Sequence, residues 1–231
     1  MIGLPFSFLA YGSDINVRQS NLYPYQSTVA LQDDFIVGIN GSGTTGTLGW
    51  VIAGGATTNL VSETNRPGIL RRDTSAVINT TAYLVLYGSS SAINGGDSHS
   101  VIWIERLNTN DANTTINIGS ANTAFTAAPS SGIYFQKLDA DTNWFCVTRS
   151  GGVQTRTDSG IAVNTSFNTF YYNKNSSGVT WKINNTSVCG THTTNIPSSF
   201  IDPNTVIVNS AAASKTVDVD YFQLVYNGLT R

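Results

Sequence analysis

Charge is scarce in this chain. Of its 231 residues only 11% are Asp, Glu, Lys or Arg, where an average soluble domain carries about a quarter. Twelve Lys and Arg scattered from Arg18 to Arg231 form no stripe, and the net charge is −2. Nothing therefore gathers positive potential against nucleic acid or an anionic membrane. Histidine is limited to His99 and His192, neither with a Cys or carboxylate at ligand spacing, and no Gly-x-Ser-x-Gly elbow occurs. Nucleophilic catalysis, a bound metal and other cofactors are not expected. His192, within Thr191-His-Thr-Thr, reads as a half-exposed strand residue.

Long apolar runs are also missing. The opening Met1-Ile-Gly-Leu-Pro-Phe-Ser-Phe-Leu-Ala lacks a basic start, contains Pro5 and is interrupted by Ser7, so it reads as neither signal peptide nor membrane span. The expectation is synthesis in a cytoplasm without secretory export or membrane insertion. There are two cysteines, Cys146 and Cys189. They admit a disulfide between neighbouring strands or two buried thiols, and the thiols are favoured because free Cys packs as a small hydrophobe.

What is abundant is Thr, Ser, Asn and Gly, a composition that disfavours long helices and suits an all-β fold. Runs of five to seven aromatic and β-branched residues alternate with turn residues through Gly132–Pro197, as in consecutive antiparallel strands. Trp144, Cys146 and Thr148 fall on one face of such a strand, and Phe145, Val147 and Arg149 on the other. Val179, Trp181 and Ile183 share a face, with Thr180 and Lys182 opposite. Further strands are read at Asp33–Gly38, Trp50–Ala53, Ile69–Arg72, Thr80–Tyr87, Val101–Arg106, Thr114–Gly119, Thr205–Val208 and Thr216–Tyr226. Arg66-Pro67-Gly68 reads as a turn, and the glycine-rich 41–49 as a long β-turn connection with no phosphate-loop ending. Ten to fourteen evenly spaced strands indicate a β-sandwich or jelly roll.

Residues 1–31 differ, with apolar and Pro residues but little alternation. This segment reads as an N-terminal arm that lies on a neighbouring subunit, with Leu4, Phe6, Phe8, Tyr11, Tyr23 and Tyr25 as candidate assembly contacts. Residues 32–231 form the sandwich.

Seven pieces in order carry a resemblance: Asp33-Asp34-Phe35, Leu48-Gly49-Trp50, Arg66-Pro67-Gly68-Ile69-Leu70, Gly132-Ile133-Tyr134-Phe135, Asn143-Trp144, Thr191–Pro197 and Val217–Phe222. Together they span about 33–226. The chain resembles the concanavalin-A-like (laminin-G/glucanase-type) jelly-roll domain of tailed-bacteriophage virion proteins. The resemblance implies an all-β jelly-roll sandwich serving as a virion surface component: tail fibre, head fibre or capsid decoration. It also implies a homotrimer that contacts other virion proteins such as capsid or tail proteins, and in some cases host glycans.

Each candidate chemistry has a bland counterpart. Glucanases of this shape carry Glu-x-Asp-x-Glu on one strand, whereas this chain has only Glu63 and Glu105, without a partner acid at i±2 or i±4. Asp218 and Asp220 share a strand face, but the resemblance makes theirs a closing strand whose acids meet backbone amides or loop hydroxyls. Asp139-Ala-Asp141-Thr-Asn143 has calcium-loop spacing without the later Gly and Glu, so a polar hairpin turn is favoured. The four tryptophans read mostly as core. A sugar site remains open, with Tyr87, Asn94, Asp97, Tyr172 and Asn173 as candidate contacts, joined by Asn175. The reading is thus a non-enzymatic virion structural protein. A host-glycan recognition module stands second and a polysaccharide-degrading glycosidase third.

Overall fold

The computed structural model describes residues 28–36, 43–54, 58–86, 93–110, 112–122 and 128–227. The described residues hold seventeen strands. The first eight are β1 (Thr28–Asp33), β2 (Gly43–Thr45), β3 (Trp50–Gly54), β4 (Thr58–Glu63), β5 (Arg66–Asp73), β6 (Thr81–Leu86), β7 (Ile93–Asn94) and β8 (His99–Leu107). There follow β9 (Thr114–Ala121), β10 (Gly132–Lys137), β11 (Asn143–Ser150), β12 (Val153–Ala162), β13 (Asn168–Asn175) and β14 (Gly178–Ile183). The last are β15 (Thr186–His192), β16 (Phe200–Asn209) and β17 (Thr216–Asn227). All pair antiparallel, in two sheets. One runs β15-β14-β13-β8-β17-β5-β4, with β1 also on β17; the other runs β12-β11-β10-β9-β16-β6-β3-β2, with β7 on β16.

The core lies between the sheets and is built from the inward phase of each alternation. Trp50, Trp103 and Phe222 meet with ring centroids 4.6 to 5.3 Å apart. A second cluster joins Phe135, Trp144, Phe170 and Trp181, so all four tryptophans are core as expected. Polar links cross the same gap. Trp103 Nε1 donates to the Gly119 carbonyl at 3.2 Å, and the Tyr172 hydroxyl donates to Ser120 Oγ at 2.7 Å. Arg72 and Glu105, both wholly buried, lie 3.9 Å apart beside Thr205. Burial pushes the Glu105 carboxyl up to about 7, against the pull of Arg72 and the Thr205 hydroxyl.

Several expectations are corrected here. Cys146 and Cys189 form a disulfide, Cα to Cα 6.3 Å, tying β11 of one sheet to β15 of the other. Spacing alone could not bring these strands together; Cys189 sits at a register shift in β15 with φ 60°, which turns it toward the opposite sheet. His192 is buried, 4% exposed, rather than half-exposed. Its Nδ1 meets Thr148 Oγ1 at 3.2 Å and its Nε2 meets Thr157 Oγ1 at 3.0 Å, so it too joins the sheets. Arg66-Pro67-Gly68 is the start of a strand, and the turn precedes it at 64–65. Pro67 is tolerated because the β4–β5 ladder shifts register between Val61 and Glu63. Residues 28–31, assigned to the arm, lie in β1 and pair with β17. The candidate contacts Leu4, Phe6, Phe8, Tyr11, Tyr23 and Tyr25 lie outside the described residues.

Candidate functional site

The nine-stranded sheet has a second buried surface. Val85, Ala121, Tyr134, Val147 and Val206 are buried yet stand outside the core cluster. Registers explain why: they occupy the phase opposite to Leu84, Ile133, Cys146 and Ile207, and so face away from the partner sheet. One row across this outward face reads Arg156, Val147, Tyr134, Gly119, Asn204, Val85, Val51. The next reads Asp158, Phe145, Gln136, Asn117, Val206, Tyr83. In both rows the middle is buried and the ends are half-buried or exposed: Val147 is 0%, Tyr134 1% and Val206 2% accessible, while Phe145, Arg156, Tyr83 and Val51 are partly open. A flat outward face would expose its middle. This face instead keeps its middle from solvent, and only its two ends are partly open.

Glycines make room for its central ring. A Cβ at Gly132 would lie 2.9 Å from Tyr134 Cδ1, and one at Gly119 would lie 2.9 Å from Tyr134 Cβ and 2.4 Å from the Ile133 carbonyl oxygen. Tyr134 therefore lies over Gly132, leaning toward the row that holds Arg149 and Gln154. Burial raises the Tyr134 hydroxyl pKa, and nearby Arg149 and Arg156 oppose that shift. Amides furnish the rest of the middle: Gln136 Nε2 donates to Asn117 Oδ1 at 3.1 Å, and Asn204 Nδ2 to the Ala121 carbonyl at 3.1 Å. At one end the Arg156 guanidinium stacks 3.4 Å over the Phe145 ring, donates to Gln136 Oε1 at 2.9 Å and pairs with Asp141. At that partly open end an aromatic ring, a guanidinium and a carboxylate stand together, a set able to stack on and hydrogen-bond a polar ligand with apolar faces such as a pyranose.

Asp141 and Asp158 both lie near Arg156 at the open end of this face. Asp158 and Asp202 lie on β12 and β16, four strands apart, or about 19 Å at the usual interstrand spacing; glycoside hydrolysis needs two within about 10 Å. Asp218 and Asp220 belong to the other sheet, where Asp218 is wholly buried and Asp220 largely so. They meet arginines rather than the amides or hydroxyls expected: Asp218 is bound by Arg71 and Arg106, and Asp220 by Arg66. The Asp139–Asn143 segment is a hairpin turn. Asp139 accepts from Thr115 Oγ1, Asp141 from the Leu138 amide, and Asn143 donates to Asp158. Among the described residues no group of three His, Cys, Asp or Glu is placed to hold a metal.

The sugar contacts chosen from sequence come together only in part: Lys174 Nζ donates to the Gly96 carbonyl at 3.1 Å and the Asn175 carbonyl at 2.9 Å, joining the Asn94–Asp97 turn to Asn175. Tyr172 is 1% exposed and belongs to the core, and Asn173, next to it on β13, faces the opposite way. Asn94 and Asp97 shape a turn: Asn94 Oδ1 accepts from the Gly96 amide, and Asp97 from the Tyr226 hydroxyl. Asn175 accepts from the Ser177 amide in another turn. Tyr87 lies outside the described residues. The outward-face residues missed were legible in one respect: Tyr134 and Gln136 alternate with Ile133 and Phe135. A strand buried on both faces gives that pattern no polar contrast. Two depressions lie on the eight-stranded sheet, about 490 Å³ beside Lys182 and Gly190 and about 210 Å³ beside Arg66 and Asp220.

Comparison with known proteins gives the fold a wider setting. No family model matches the chain, and no curated protein matches it. Among solved structures, a protein of unknown function from Shewanella oneidensis MR-1 is similar over 90% of both chains, with TM-score 0.67 and 13% identity. The Emp47p carbohydrate recognition domain is similar over 77% of this chain and 89% of its own, with TM-score 0.55 and 12% identity. A Bacillus licheniformis β-glucanase is similar over 87% and 98%, with TM-score 0.56 and 13% identity. The fold is a concanavalin-like jelly roll.

Proposed function

We propose that this chain is a non-catalytic glycan-recognition module carried on the surface of a bacteriophage particle. The observation that carries the reading is the partly open edge of the outward face of the nine-stranded sheet, where the Phe145 ring, Arg156 and Asp141 stand together, with Tyr83 partly open across the face. A carbohydrate recognition domain and a glucanase among proteins of similar shape agree with a saccharide ligand. The chain lacks the Glu-x-Asp-x-Glu strand of glucanases of this shape, which favours binding over cleavage. Placement on a virion rests on the seven-piece resemblance. A chain made in a reducing cytoplasm would close its disulfide after release, and low charge with a stapled sandwich suits exposure outside the cell.

Affinity electrophoresis in gels carrying soluble bacterial polysaccharides tests this face. Retardation by at least one polysaccharide, lost in Tyr83→Ala and Phe145→Ala, is the expected result. Release of reducing ends during binding would replace the module with an enzyme; no retardation by any polysaccharide would remove the reading. The assembly half of the proposal, a homotrimer held through the arm, is read by light scattering of the full chain and of a chain lacking residues 1–27. A trimer that becomes monomeric on truncation is expected, and a monomer in both cases would overturn it.

A further inference from the structure

The depression of about 210 Å³ on the eight-stranded sheet is walled by Asp34, Ile36, Arg66, Ile104, Asp220 and Tyr221, among others. Three backbone devices build it. A register shift between Val219 and Tyr221 leaves Asp220 without a partner on β8, so two consecutive residues of β17 both reach the depression. Phe35 holds φ 53°, uncommon for a bulky residue, and its ring is wholly buried against Trp50. That inward turn leaves Asp34 and Ile36 outside, with Ile36 56% exposed. A Cβ at Gly68 would lie 2.0 Å from the Asp34 carbonyl oxygen, so glycine is what lets residues 34–36 lie this close to β5. Charge at this place does not balance. Arg66 is engaged by Asp220 and by the Phe167 ring, 4.3 Å from its guanidinium. Asp34 is exposed and belongs to no ion pair among the described residues. Burial raises the Asp220 pKa against the pull of Arg66, and the Asp34 charge raises it further. What the depression lacks is a cation, and its volume suits one long side chain rather than a small ligand, whose pockets start at about 300 Å³.

We infer that this depression receives the N-terminal segment 1–27 of a neighbouring copy, with Arg18 seated against Asp34. The inference rests on the arm reading above and names where the arm lands. Arg18 is the single basic residue of that segment, which also carries Leu22, Tyr23 and Tyr25. Its charge answers Asp34, and its apolar residues answer Ile36, Ile104 and Tyr221. The chain's own arm is less well placed. Thr28 pairs with Asn227 at the far end of β1, about 20 Å from Asp34 by the rise of a strand. The course of β1 before Thr28 leads away from the depression, so an arm that continues it leaves the place to a neighbour. Each copy would then give one arm and receive one, which closes a ring.

The test is sedimentation of the full chain over a dilution series. Asp34→Arg and Arg18→Glu are each expected to raise the concentration at which the trimer dissociates by about tenfold. The two together should restore it, because the charges are exchanged, and a merely structural role for Asp34 would not give that rescue. Ile36→Asp should weaken the trimer in the same way without rescue by Arg18→Glu. Asp34 and Ile36 are both exposed, so these changes leave the core alone. Arg18→Cys combined with Ile36→Cys, once oxidised, should give covalent trimers; a bond closed within one chain would overturn the exchange between copies. A trimer that is lost on removing residues 1–27, yet indifferent to Asp34→Arg and Ile36→Asp, would overturn this inference and leave the arm reading standing. A monomeric full chain would overturn both.

Discussion

Asp33 accepts three hydrogen bonds from donors far apart in the chain: the Phe35 amide at 2.9 Å, the Leu48 amide at 3.0 Å and Trp50 Nε1 at 3.0 Å. A Cβ at Gly46 would meet this carboxylate at 2.4 Å, and Gly46 holds φ +70°, so that position is restricted on both counts. The carboxylate thereby fixes the β2–β3 hairpin over the end of β1 and orients Trp50 in the first aromatic cluster. Asp33→Ala would strand three donors in a buried place. At 1–3 kcal/mol per stranded group the expected loss is about 4 kcal/mol, a fall in melting temperature of about 10 °C for a chain this size. Thermal unfolding reads this directly, and a shift below 2 °C would show that water takes over the three donors. Asp33-Asp34-Phe35 and Leu48-Gly49-Trp50 are both visible in the sequence as separate pieces. That one is the cap of the other is a tertiary fact, because nothing in the 12 residues between them announces which donor the carboxylate will face.

Strand β15 shows how far element-scale reading extends. Its neighbours were legible: Val179, Trp181 and Ile183 alternate with Thr180 and Lys182, and the structure buries the first set and exposes the second. The register shift opposite Val179–Trp181 was not legible, since a bulge adds residues without changing composition. It sends Cys189 to Cys146 and places His192 between two threonines of the other sheet. The same limit applies to Tyr172 and Asn173, adjacent in β13 and therefore on opposite faces of it. The staple closes a loop of 43 residues, and chain entropy assigns such a closure about 4 kcal/mol. Urea unfolding in excess dithiothreitol, or of Cys146→Ser, should therefore give a markedly lower midpoint than the oxidised protein. Thiol titration in urea without reductant should find no free thiol. Two free thiols there, or coincident midpoints, would show that the bond contributes nothing to stability.

Taken as a whole, the molecule buries ionisable groups whose pH responses oppose one another. His99 is buried, stacked on Tyr226 and edge-on to Tyr172, with Nδ1 on the Asp97 carbonyl. Burial lowers its pKa to about 4, against about 6.5 in the unfolded chain. Below pH 6.5 the unfolded state takes up a proton that the folded state refuses, so acidification from pH 7 to 5 removes about 2 kcal/mol of stability. Glu105 acts in the other direction. With its folded pKa raised to about 7 and about 4.3 when unfolded, the folded state binds the proton first, and the same acidification adds about 2 kcal/mol. His192, also lowered by burial, sides with His99. The wild type should thus show only a shallow decline in stability between pH 7 and 5. His99→Phe keeps the ring packing and removes one side of the balance. Its baseline should drop by about 1 kcal/mol through loss of the Asp97 contact, while its stability should rise rather than fall as the pH is lowered to 5. Urea midpoints at half-unit pH steps for the two proteins decide the matter. Parallel profiles would mean that His99 titrates normally in the folded state and that the sandwich does not hold it neutral.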